Sequence, residues 1–192
     1  MNRMLAALVM ALALPSAASA TLFTYQATLD GASEFPTNGS AGTGTAMVIY
    51  DDVSKTLSVS ANFSDLTGLV TAAHIHCCVS PSAAVPTAGV ATTTPTFPGF
   101  PSGVTAGSYS QSFDLTQASS WNAAFITSQG GTISAAEAAF ATGLAGGSAY
   151  FNIHTDFRAG GEIRGFLTPE PSTGLLVGAG IALLARRRRG EH

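Results

Sequence analysis

Apolar and polar side chains alternate along the first part of the chain with the period of two that belongs to strands. "TLFTYQATL" (21–29) sets Leu22, Thr24 and Gln26 against Phe23, Tyr25 and Ala27, which predicts a strand. A loop follows through Pro36, Asn38-Gly39 and Gly42. Two runs rich in β-branched and aromatic residues, 44–50 and 56–63, flank the polar turn Asp51 to Lys55 and read as a hairpin. "TGLVTAAHIHCC" predicts the next strand, with Ala73, Ile75 and Cys77 on one face and Ala72, His74 and His76 on the other.

Periodicity then stops. From Val79 to Gly107 the chain carries five prolines and no charge, a long loop that Phe97 and Phe100 are expected to pin to the body. After a short strand, "GSYSQSFDL", two helical patches appear. Trp121, Ala124 and Phe125 stand at i, i+3 and i+4, and Ser134 with Glu137 forms a capping box ahead of Ala136, Ala139 and Phe140. The final hairpin, 147–167, puts Phe151 and Ile153 on one face and Tyr150, Asn152 and His154 on the other. Its return strand adds Ile163 and Leu167 to the apolar face, so Glu162 and Arg164 are expected beside His154.

If Ile75 is core, His74 and His76 point to the polar face as well, where His154, Asn152, Glu162 and Arg164 make a candidate network. Three imidazoles suit zinc or copper and leave an open coordination position, so His74, His76 and His154 are candidate metal ligands, with Glu162 as a further donor. The plainer reading is a hydrogen-bonded structural network, since paired strand histidines often bond only carboxylates and carbonyls.

The termini add compartment. Residues 1–20 have Arg3, an apolar run from Met4 to Leu14, a break at Pro15 and Ala18-Ser19-Ala20, the form of a secretory signal peptide. The other end has Pro169, Glu170 and Pro171, a 14-residue apolar and small-residue run (172–185), then Arg186, Arg187, Arg188 and Arg189. That run is short against the roughly 20 residues of a spanning helix, but arginines snorkel and extend the span while staying cytoplasmic. This places 21–168 outside the membrane as one domain of sufficient length for a core.

Residues 21–171 hold three basic and ten acidic side chains, a net charge of −7, which argues against nucleic acid and anionic membrane as partners. Cys77 and Cys78 meet an oxidising compartment after export. A vicinal disulfide, an intermolecular bridge and a metal thiolate all stay open, in that order of preference.

The tripartite tail (169–192) resembles the PEP-CTERM sorting signal of exported proteins in Gram-negative bacteria. The resemblance implies processing near Pro-Glu-Pro by exosortase, with the chain as its substrate. "TLDGASEFPTNGSAGTGTA", "AHIH" and "YFNIHT...GEIRGFL" together resemble the CHRD domain over about Thr24 to Leu167. That resemblance implies an all-β fold, an antiparallel β-sandwich of Greek-key kind, whose His-x-His strand is similar to that of copper/zinc superoxide dismutases. Cys77 stands where family members often have glycine, and the Pro/Thr loop is long.

Three functions follow as expectations. The first is a non-catalytic module at the envelope or exopolysaccharide matrix, binding an extracellular polysaccharide or envelope protein. The second is a metal-binding domain for copper or zinc. The third, an enzyme, is disfavoured. The superoxide dismutase copper site uses four histidines where this domain has three, because His192 lies beyond the arginines, and no G-x-S-x-G or serine-histidine pairing occurs.

Overall fold

The computed structural model describes residues 21–170. The signal-peptide segment, Pro171, the apolar run 172–185 and Arg186 to Arg189 lie outside the described residues, so the expectations placed on them have no structural counterpart here. No helix among the described residues is long and apolar enough to cross a membrane.

The fold is all-β: eight antiparallel strands in one sheet that curls into a half-barrel, with two short helices. The strands are β1 (Leu22–Asp30), β2 (Thr43–Asp51), β3 (Thr56–Ser64), β4 (Val70–Cys77), β5 (Gly107–Asp114), β6 (Ala149–Thr155), β7 (Ile163–Phe166) and β8 (Thr168–Pro169). Their order across the sheet is β4-β6-β7-β1-β2-β3-β5, with β8 beside β1. The β2–β3 hairpin forms where the alternation predicts it. Asp51 accepts hydrogen bonds from the Val53 and Ser54 backbones, and Lys55 takes the left-handed conformation (φ 57°) that tightens the turn. Leu29, Val48, Leu57, Ile75, Phe151 and Ile163, all buried, line the inner face.

The long loop after β4 is structured rather than loose. It runs along the outer edge of β4: Phe97 N donates to Ala73 O, Ala91 N to Ile75 O, and Cys77 N to Gly89 O. A strand that would otherwise expose unpaired backbone groups is thereby covered. Phe97 is fully buried and packs against Tyr109 and Phe113 of β5 and Phe151 of β6, so one loop residue plugs the half-barrel between strands near its two edges.

The helices are α1 (Ala123–Ser128) and α2 (Ile133–Ala145). The capping box expected from Ser134 and Glu137 does not form: Thr132 is the cap, its hydroxyl accepting from Ala135 N. Ser134 is already inside the first turn, and Glu137 instead bonds Tyr50 Oη and Lys55 Nζ, fastening α2 to the sheet. Ala136, Phe140, Gly143 and Leu144 form the buried face of α2, and Trp121 stacks on Phe125 and meets Phe140 edge-on.

Strand pairing continues into the Pro-Glu-Pro triplet. Thr168 pairs with Gln26, Pro169 with Tyr25, and Glu170 N donates to Thr24 O. β7 can lie against β1 because residue 165 is glycine: a Cβ there would stand 2.0 Å from Thr28 O.

Candidate functional site

The period-two alternation of β4 and β6 and their register bring the three histidines together. His74 faces Asn152 and His76 faces Tyr150 across the β4–β6 ladder, while His154 faces Ala72. One ring nitrogen from each histidine lies within 4.8 Å of the others, and the rings are 6, 8 and 9 % exposed for His74, His76 and His154.

Each ring is fixed by a backbone carbonyl from a loop. His76 Nδ1 donates to Ala88 O at 2.9 Å and His154 Nδ1 to Ala159 O at 2.9 Å. His74 Nε2 donates to Pro95 O at 2.5 Å. A carbonyl oxygen only accepts, so the hydrogen of each neutral ring sits on the bonded nitrogen and the other nitrogen keeps its lone pair. Those lone-pair atoms are His74 Nδ1, His76 Nε2 and His154 Nε2. The first is buried with no partner, and the other two face each other at 3.4 Å.

Burial pushes the His74 and His76 imidazoles down to about 4 and lowers His154 as well. Carbonyl hydrogen bonds oppose the fall, while neighbouring histidines and, at His76, the Arg164 guanidinium add to it. The rings are therefore neutral at physiological pH, the state in which imidazole ligates. An imidazole whose second N–H is held by an outer carbonyl is the usual form of a metal-ligating histidine, and the free nitrogens of His76 and His154 face each other in that form.

The polar residues expected beside this cluster divide. Arg164 lies opposite Asn152 and is 2 % exposed. Its guanidinium donates to Ser33 O at 2.5 Å and Pro86 O at 3.1 Å, covers the Tyr150 ring at 4.8 Å and approaches Glu34 at 3.7 Å. Tyr150 in turn stacks on His76, with centroids 4.8 Å apart. Glu162 goes elsewhere. Its Oε1 accepts from Ser40 Oγ and Thr67 N, and its Oε2 from Gly68 N and Thr155 Oγ1, which ties together the turns before β2 and β4. Burial raises its carboxyl, but these four bonds together outweigh burial and hold it below the ordinary value. With its hydrogen bonds committed in this way, Glu162 has no oxygen turned to the histidines.

Glu34 is the carboxylate the sequence did not single out. It comes from the β1–β2 loop, is 5 % exposed, and its Oε1 has no partner. Burial pushes it up to about 7 against the attraction of Arg164. Glu34 and Asn152, whose Oδ1 is also unpartnered, meet over the bare α-carbon of Gly161, where a Cβ would stand 2.6 Å or less from both. Gly161 also has φ 128°, a second reason for glycine there.

Cys77 and Cys78 are joined to each other as a vicinal disulfide on the opposite, inner side of β4. Both sulfurs lie against α2 at Gly143, where a Cβ would stand 2.4 Å from each. They take no part in the histidine cluster.

The model of the CHRD domain matches residues 25–167, and that of the PEP-CTERM protein-sorting motif matches residues 167–189. No curated protein and no solved structure matches the chain.

Proposed function

The chain belongs to the CHRD-domain family and carries a PEP-CTERM protein-sorting motif, and from this premise we propose that it is a non-catalytic envelope module whose three histidines hold one transition-metal ion. The sorting motif marks a protein exported to the cell envelope by an exosortase system. Exosortase is the processing partner, and residues 172–185 anchor the chain in the membrane until that step. An intact "RRRRGEH" in the mass spectrum of the mature protein would contradict the processing.

The observation that carries the metal reading is the 3.4 Å between His76 Nε2 and His154 Nε2. Two nitrogens bound at about 2.05 Å to a tetrahedral ion stand roughly 3.4 Å apart. Two lone pairs at that separation repel unless a cation lies between them, and the unpartnered His74 Nδ1 offers the third donor. Uncharged imidazoles suit copper and zinc alike. Glu162, occupied by its own hydrogen bonds, is not one of the ligands in this reading. The test is elemental analysis of protein purified without chelator or polyhistidine tag. About one copper or zinc per chain is expected, falling below a tenth in His76→Ala, and no metal in the parent protein would refute the reading.

A further inference from the structure

The outer sheet face that carries the histidines continues across β1, β2, β3 and β5, and there its chemistry changes. Gln26 and Thr28 on β1 lie in register with Met47 and Thr45 on β2, and these with Ser60 and Asn62 on β3. The next positions across, on β5, are Ser110 and Ser108. No ionisable side chain stands on this block, in a segment whose net charge is −7. The six named side chains of β1, β2 and β3 line an open trough of about 530 Å³, together with Phe166 of β7. Phe166 also packs on Tyr150 at 5.3 Å, which links the trough to the histidine cluster through one aromatic stack.

We propose that this trough binds a neutral polysaccharide chain. Hydroxyl and amide groups in rows match the donors and acceptors of sugar hydroxyls, since each side chain both gives and takes a hydrogen bond. Met47, 39 % exposed, and the half-buried Phe166 supply the apolar surface on which the C–H face of a sugar ring packs. Absence of charge decides the class of occupant. A polyanion would find no cation here and a net negative domain around it, and a basic protein surface would find no carboxylate in the trough. An open groove across several strands takes a chain rather than an enclosed small molecule. Thr168, the residue before Pro-Glu-Pro, lies on the trough wall, so the bound chain would run beside the point where the sorting tail begins.

The inference is independent of the metal reading, and affinity electrophoresis of the full chain tests it. Native gels are cast with hydroxyethylcellulose or dextran as neutral polymers and with alginate as the anionic contrast. Retardation by at least one neutral polymer and none by alginate is expected. Thr45→Asp, which places a charge in the trough, should abolish it, whereas Ala84→Asp, at an exposed loop residue outside the trough lining, should leave it intact. Gln26→Ala with Asn62→Ala should weaken it at least tenfold with an unchanged melting temperature, which excludes unfolding as the cause. No retardation by either neutral polymer, equal retardation by alginate, or retardation unaffected by Thr45→Asp would overturn the proposal. So would a protein partner whose capture requires the trough while neither polymer binds.

Discussion

His76 Nε2 and His154 Nε2 face each other at 3.4 Å while the opposite nitrogen of each ring donates to a loop carbonyl, Ala88 O or Ala159 O. The pair has therefore no hydrogen to share. In the proposed metal reading an ion between the two nitrogens takes the place of the missing donor.

Occupancy of the cluster should appear in stability. An ion present at a hundred times its dissociation constant adds about 2.7 kcal/mol. Chelator should then lower the melting temperature by roughly 5–10 °C, and readdition of copper or zinc should restore it. His76→Ala should melt at the same temperature with and without chelator. A chelator response that survives in this variant would place the ion elsewhere.

Glu34 predicts a loss of stability toward alkaline pH. Its folded value is raised to about 7, so its contribution is complete below the ordinary carboxylate value of 4.5 and disappears as pH rises through about 7. The change is on the order of 2–3 kcal/mol for a group this buried. From pH 5 to pH 8.5 the urea midpoint of the parent protein should fall relative to that of Glu34→Gln, because the buried histidines, whose lowered values make stability rise with pH up to about 6.5, contribute equally to both. Parallel curves for the two proteins would contradict the assignment.

Glu162→Ala removes the acceptor of four hydrogen bonds and leaves two backbone donors, at Thr67 and Gly68, without it. A loss of about 3 kcal/mol is expected in chemical denaturation. Metal content per folded chain should be unchanged, because the carboxylate holds turns together and does not face the histidines. Joint loss of metal and stability in the folded fraction would show that the separation is wrong.

Gly143→Ala should be destabilising by about 1–3 kcal/mol, since its Cβ would stand 2.4 Å from both sulfurs of the Cys77–Cys78 bridge. In a Cys77→Ala, Cys78→Ala background the same change should stabilise, by about 0.5–1 kcal/mol, because alanine is the better helix residue once the sulfurs are gone. The reversal of sign in a double-mutant cycle is the readout.

Alternation made part of the site legible. The period of two in "AHIH" and "YFNIH" decides which side chains share a face, and a one-residue slip would have moved Ile75 and Ile153 out of the core. Glu162 escaped that reading because β7 begins at Ile163, one residue later than the pattern implies. The turn residue is free to aim at Ser40 and Thr67 rather than along the strand. Glu34 escaped it because its partner Arg164 lies 130 residues away in the chain, and its loop has no periodicity to read. Thr132 displaced Ser134 as the cap because the helix starts two residues earlier than its capping pattern suggests.

The sequence by itself determined the all-β class, the faces of β4 and β6, and the sorting signal, because local alternation and terminal composition need no partner to be read. The tertiary structure decided the rest. It chose which nitrogen of each histidine is free, through Pro95, Ala88 and Ala159. It also laid the uncharged rows of β1, β2 and β3 side by side into one trough. Both depend on contacts between residues far apart in the chain, whose geometry is fixed only when the sheet curls and its loops close over it.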